Sequence, residues 1–310
     1  MKKLILIVCL FILVITFILY FLIPNAQNLN YQTTVGCTES AVSRYLINKN
    51  KWHLWWPGQI KDSTNYSYKN CNYRFGKILL DGIGTTVLND KDSVKGFLKF
   101  IYFGNDSTQF QWTSNYIFSA NPVKRFTQYL QLKNIANNIE NLLGETKKYF
   151  EKEENIYGMK VLKQKVTESS LISVKDTFPH YPSTQEIYGM INSLKEYIRQ
   201  KGGHEDSYPM LNVNTEDSIV YETMVAIPTK NDMPSEGKFH LKKMVLGNIL
   251  MAEVKGGVSS VIKGEKELTN YVNDHKKTSP AIPFQSLVTN RLLESDTSKW
   301  ITRLYYPIFF

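Results

Sequence analysis

Two stretches of the chain repeat one another at a fixed offset of 74 positions. Ile187, Leu194, Tyr197, Ile198 and Pro209 return as Val261, Leu268, Tyr271, Val272 and Pro283. Self-similarity at a constant spacing is the mark of one supersecondary unit used twice. Each copy reads as a strand, a helix carrying Leu, Tyr and a β-branched residue on one face, and two further strands. The first copy ends in IVYETMVAIP (219–228) and the second in KWITRLYYPI (299–308). A duplicated strand-helix-strand-strand unit pairs its two small sheets about a pseudo-twofold axis. That leaves a cleft between the copies, where small-molecule sites commonly form. The repeat therefore predicts an α+β domain over 166–310.

The stretch before it, residues 28–165, predicts a second α+β unit. A β-prone segment (28–35) runs into Thr38-Glu39-Ser40-Ala41, which can cap a short helix through Leu46. KWHLWWPG (51–58) follows and carries three of the five tryptophans. Strand-like runs are predicted around 72–89, 96–103, 108–119 and 124–130, separated by Asp, Asn, Ser and Gly. A long helix closes the unit, with Leu132, Ile135, Ile139, Leu142, Leu143, Tyr149 and Phe150 at helical spacing. The order suits a curved antiparallel sheet around a C-terminal helix.

Residues 4–23 (LILIVCLFILVITFILYFLI) are apolar apart from Thr16. At 1.5 Å per residue, twenty residues span about 30 Å, the hydrocarbon thickness of a bilayer. A cleaved signal peptide has a shorter apolar core and a small-x-small site, whereas Pro24-Asn25-Ala26-Gln27 follows here. The segment predicts an uncleaved anchor with a short linker over 1–27, and the lipid bilayer as a partner. Lys2 and Lys3 precede the span and the next basic residue is Arg44. This places the N-terminus in the cytoplasm and the later residues on the extracytoplasmic (periplasmic) side of the cytoplasmic membrane. In that compartment Cys37 and Cys71 are open to two readings, a disulfide or two buried thiols.

The formal charge of +9 invites a nucleic-acid reading, which the distribution opposes. Residues 24–164 hold +7 of it and residues 165–310 are neutral. No stretch clusters five basic residues, and Lys outnumbers Arg 31 to 6, whereas bidentate base and phosphate contacts favour Arg. The five histidines (His53, His180, His204, His240, His275) lack metal-ligand spacing. Neither a Walker loop nor a Gly-x-Ser-x-Gly elbow is present. The residues call for no metal and no cofactor.

Trp52, Trp55, Trp56 and Pro57, with Asn121-Pro122 and the closing helix, resemble the START-like helix-grip (SRPBCC, polyketide cyclase-like) superfamily. The resemblance implies a hydrophobic cavity between sheet and helix, to which Trp52, Trp55 and Trp56 are candidate contributors. Core packing is the simpler role for such rings. The tail AIPFQSLVTNRLLESDTSKWITRLYYPIF (281–309) resembles the GyrI-like, or AraC-type effector-binding, family, with Asp296, Lys299, Trp300, Thr302, Tyr306 and Pro307 carrying the match. That family binds small hydrophobic or cationic molecules, and some members hydrolyse reactive electrophiles.

By this resemblance the pocket glutamate falls on Gln285, a tyrosine falls on Leu287, and an Asp-Pro turn becomes Asn290-Arg291. A glutamine orients a ligand but moves no proton near neutral pH. Candidate ligand contacts are Gln285, its first-copy equivalent Leu211, and the strand aromatics Tyr221 and Tyr305. No catalytic residue is assigned, and Glu222 is the fallback acid. The expectation is a non-enzymatic, membrane-anchored protein that senses or sequesters a small hydrophobic or cationic compound. A hydrolase of reactive electrophiles and a structural partner in a membrane complex are the alternatives.

Overall fold

The structure is a computed structural model describing residues 7, 10, 11, 14, 17, 20–89, 92–104, 106–166, 170–215 and 219–309. The chain divides into two units, 1–152 and 153–310. Each is built on one antiparallel sheet. Among the described residues no helix is long and apolar enough to cross a membrane. Most of the predicted span lies outside the described residues. Of those within it, Ile7, Leu10, Phe11, Val14, Phe17 and 20–22 are helical and all but Tyr20 are exposed, while Ile23 is a buried bend that ends the helix.

In the first unit, β1 (Ala26–Val35), β2 (Gln59–Ile60), β3 (Asn65–Tyr68), β4 (Cys71–Leu79), β5 (Gly82–Asn89), β6 (Asp92–Gly104) and β7 (Ser107–Ile117) form a seven-stranded sheet. Their order is β1-β7-β6-β5-β4-β3-β2, so the first strand pairs with the last. Along β7 Thr108, Phe110 and Trp112 are buried while Gln109 and Gln111 are not, the period-two pattern of a sheet with one covered face. Between β1 and β2 lie α1 (Glu39–Leu46), capped by Thr38, and the single turn α2 (Trp52–Trp55).

The closing helix α3 (Pro122–Phe150) begins earlier than the sequence suggests. Residues 124–130, read as a strand, are its first turns. Asn121 Oδ1 accepts from the amides of Val123 and Lys124, and Pro122 stands at the first helical position. That pairing starts a helix whatever the β-propensity of the residues behind it. Trp52, Trp55 and Trp56 are buried and packed edge-on or stacked against Tyr66, Phe75 and one another. Trp52 Nε1 donates to the Leu46 carbonyl at 2.6 Å and Trp56 Nε1 to that of Ser67 at 3.0 Å.

The second unit holds α4 (Glu153–Tyr157), α5 (Thr184–Gln200) and α6 (Val258–Asp274). Its strands are β8 (Val161–Val166), β9 (Ser170–Phe178), β10 (Met210–Asn214), β11 (Tyr221–Thr229), β12 (His240–Lys243), β13 (Gly247–Lys255), β14 (Phe284–Leu287) and β15 (Ile301–Ile308). They assemble in the order β12-β9-β11-β10-β14-β15-β13-β8. Residues 153–165, read from sequence as the end of the first unit, belong here, since β8 pairs with β13. The repeat is visible in full. One copy is β9-α5-β10-β11 and the other β13-α6-β14-β15, with β10 and β14 paired antiparallel at the centre.

Both helices lie on the same face of this sheet. The α5 residues Ile187, Ile191, Leu194 and Ile198 share a core with Ile172, Val174, Leu211 and Val225. On α6, Val261, Leu268 and Val272 share one with Leu250, Ala252 and Leu304. Leu211 pairs with Gln285, and Gln285 with Leu304. Directly opposed residues point to one face, so both cores and Gln285 are on the helix face. The α5 start is fixed by a capping box, with Ser183 Oγ accepting from the Glu186 amide and the Glu186 carboxylate accepting from the Ser183 amide.

Candidate functional site

The seam between the two copies, on the helix face, brings Gln285, Glu265, Tyr181 and Arg291 into one group. Gln285 is 2% exposed, in the middle of β14. Its Nε2 donates to Glu265 Oε1 on α6 at 3.1 Å, and its Oε1 is buried with no hydrogen-bond partner. A buried acceptor left unpaired costs on the order of 1–3 kcal/mol, so in a native fold it calls for an explanation.

Glu265 reaches Gln285 because its helix sits close to the sheet. A Cβ added at Gly264 would lie 2.6 Å from Val254 Cγ2 and 2.9 Å from Leu304 Cδ1. Burial pushes the Glu265 carboxyl above the ordinary range, and the hydrogen bond from Gln285 works in the opposite direction. Tyr181 closes the group from the loop before α5. Burial raises its phenol; the Gln285 amide and the Arg291 charge oppose the rise, while the Glu265 charge adds to it. The Tyr181 ring meets that of Tyr221 edge-on at 6.0 Å.

Arg291 is buried beside them. Its Nη2 donates to Thr302 Oγ1 at 2.9 Å, and its guanidinium lies 4.9 Å from the centre of the Trp300 ring. Its backbone amide donates to Tyr188 Oη at 2.8 Å, and that hydroxyl donates to the Thr289 carbonyl. Burial lowers the guanidinium pKa. The seam thus offers an acid with a raised pKa, an open carbonyl acceptor, a cation occupied by its own neighbours, and the rings of Tyr181 and Tyr221.

The sequence-selected residues distribute unevenly around it. Gln285 is at the centre. Leu211 is fully buried in the α5 core as its direct strand partner. Tyr221 lies on the same face, four residues from Val225, the partner of Leu211. Tyr305 does not. It immediately follows Leu304, the partner of Gln285, so it projects to the other face and stacks on Phe284 at 5.0 Å. Glu222 is also on that other face, because side chains alternate along a strand and Tyr221 faces the seam. It borders a groove of about 400 Å³ with Lys175, Thr177, Asn212, Met224 and Pro283. The fallback acid and the seam are thus separated by the sheet.

Glu265, Tyr181, Tyr188 and Arg291 were not singled out from sequence. Glu265 carries a signal that could have found it. It stands four residues after Val261 and three before Leu268, a charged residue inside the apolar stripe of its helix. At the same position of the first copy, 74 residues earlier, is Ile191, as Leu211 matches Gln285. In the first unit the three tryptophans are part of an aromatic core. A groove of about 840 Å³ in this unit is polar, lined by Asn70, Asn89, Gln131, Asn134, Asn137 and Asn141 among others. Among the described residues no three His, Cys, Asp or Glu side chains gather to hold a metal.

No protein-family model matches the chain, and neither does any curated protein. Among solved structures it is similar to the C-terminal domain of EcmrR, at 13% identity and TM-score 0.43, over 49% of this chain and 98% of that one. It is similar to SAV2435 bound to tetraphenylphosphonium at 15% identity and TM-score 0.33, over 49% of this chain and 94% of that one. It is also similar to a hydrolase from Listeria innocua at 11% identity and TM-score 0.37, over 48% and 92%.

Proposed function

We propose that the second unit binds a small organic cation with an apolar body at the seam between its two copies. The observation that carries this reading is the Glu265–Gln285 pair: a partly buried carboxyl beside a buried carbonyl oxygen that accepts from nothing. A cationic group, an N–H donor above all, would satisfy both, while Tyr181 and Tyr221 supply ring faces for its apolar part. Arg291 does not compete for Glu265, because Thr302 and the Trp300 ring hold its guanidinium.

The apolar segment 4–23 supports a membrane anchor at the start of the first unit, with the rest of the chain displayed on the extracytoplasmic side. The protein would then sequester or sense its ligand at the membrane surface, without turnover.

Tetraphenylphosphonium is a suitable probe of charge and triphenylphosphine oxide its neutral counterpart. Calorimetric titration should detect the cation, with at least tenfold weaker binding of the neutral compound and of the cation to Glu265→Gln. Equal binding by the wild type and Glu265→Gln would sink this assignment. A hydrolytic reading gains one observation, since a carboxyl with a raised pKa is the form that suits proton transfer. The acid would be Glu265, not Glu222, and absence of turnover across a panel of epoxides and activated esters would exclude it for those classes.

A further inference from the structure

The exit of the apolar segment is bolted to the first unit by one buried guanidinium. Arg125, in the first turn of α3 and 4% exposed, donates through Nη1 to the Tyr20 and Ile23 carbonyls at 3.1 and 3.3 Å. Through Nη2 it donates to Asn25 Oδ1 at 2.7 Å and through Nε to the Ser119 carbonyl at 3.0 Å. Its plane also lies 4.3 Å from the centre of the Tyr20 ring. Four acceptors held by one side chain leave little freedom between residue 20 and the body of the unit.

Around this joint the surface is apolar. Ile117, whose strand partner is Ala26 just past the joint, is 75% exposed, and Val123 is 68% exposed. Phe126 and Leu130 continue from Val123 at spacings of three and four, so the three share one exposed side of α3, with Tyr129 beside them. The exposed charges on this side of α3 are lysines, while the nearby Asp92 of β6 is engaged by the Tyr116 hydroxyl. Lys124 and Lys133 are exposed, and no Asp or Glu occurs between Ser107 and Ile139.

Exposed aliphatics, aromatic rings and lysines next to the end of an apolar span fit the interfacial zone of a bilayer with anionic headgroups. We propose that the first unit is seated on the membrane it is anchored in, through Ile117, Val123, Phe126, Tyr129 and Leu130, with Arg125 holding the span at a fixed exit. The proposal rests on the anchor reading of residues 4–23. A unit on a loose tether would need neither the guanidinium clamp nor an apolar rim flanked by lysines.

The full chain carrying Cys9→Ser, Cys37→Ala and Cys71→Ala, with Val123→Cys or Leu130→Cys, tests this after spin labelling and reconstitution into phosphatidylethanolamine–phosphatidylglycerol vesicles. Leu80→Cys, at a 91% exposed turn of the same unit, is the aqueous control. The labels at 123 and 130 should show a several-fold higher ratio of oxygen to nickel-chelate accessibility than the label at 80. Arg125→Ala should lower that ratio toward the control while the chain still floats with the vesicles. Labels at 123 and 130 as water-accessible as the control, on a chain that floats, would overturn the seat and spare the anchor. A chain that does not float would overturn both.

Discussion

Gln285 and Glu265 meet at 3.1 Å with the amide as donor, so the carboxylate is the accepting partner and the amide's own oxygen faces inward unpaired. Two opposite unit charges about 6 Å apart attract by roughly 3 kcal/mol at an effective dielectric constant of about 20. Glu265→Gln keeps the shape and removes the charge, so cation affinity should fall roughly 10- to 100-fold. Calorimetric titration with tetraphenylphosphonium reads this directly. The melting temperature checks that the variant is folded.

The same carboxyl sets a pH dependence. Burial raises its folded-state pKa above the ordinary carboxyl value of 4.5, so the folded protein holds this proton at a pH where the unfolded chain has released it. The group therefore favours the folded state below pH 4.5, and that contribution is lost as pH rises through the raised value. Cation binding runs the other way, because the proton competes with the ligand. Affinity should climb with pH across that window and then level off. In Glu265→Gln this slope should vanish.

The sheet separates two sets of residues that are close in sequence. Tyr221→Ala should weaken cation binding, since its ring meets Tyr181 at the seam. Glu222→Gln and Tyr305→Ala should leave the affinity within about twofold, a difference below about 0.4 kcal/mol. A marked loss in either would mean that the groove on the other face is the binding site.

Trp52 is completely buried between Tyr66 and Phe75. Trp52→Ala removes a large ring from a packed core and should cost about 3–5 kcal/mol of stability. Chemical denaturation followed by far-UV circular dichroism should show a transition of the first unit moved to lower denaturant. Trp56→Phe, which loses chiefly the bond to the Ser67 carbonyl, should cost about 1 kcal/mol.

The second unit was more legible in sequence than its site. A helix repeats its buried positions whatever the neighbours do, so Leu194, Tyr197 and Ile198 announced α5 and their counterparts announced α6. The seam depends on residues from a loop, two helices and a turn, which meet only after the sheet has formed. Tyr305 was misplaced for a simple reason: alternation along a strand gives two faces, and only the pairing with Phe284 and Gln285 says which is which. Residues 124–130 show a local β-pattern losing to a helix start made of Asn121 and Pro122.

In the first copy, Ile191 and Leu211 hold the places that Glu265 and Gln285 hold in the second, and both belong to the apolar core. A perfectly duplicated frame would present a ligand with two equivalent poses related by half a turn. Here one half of the frame is greasy and the other polar, so a guest at the proposed seam would meet a head end and a tail end. Under the proposed binding, the contrast between Ile191–Leu211 and Glu265–Gln285 would favour molecules that are themselves lopsided, charged at one end and apolar at the other.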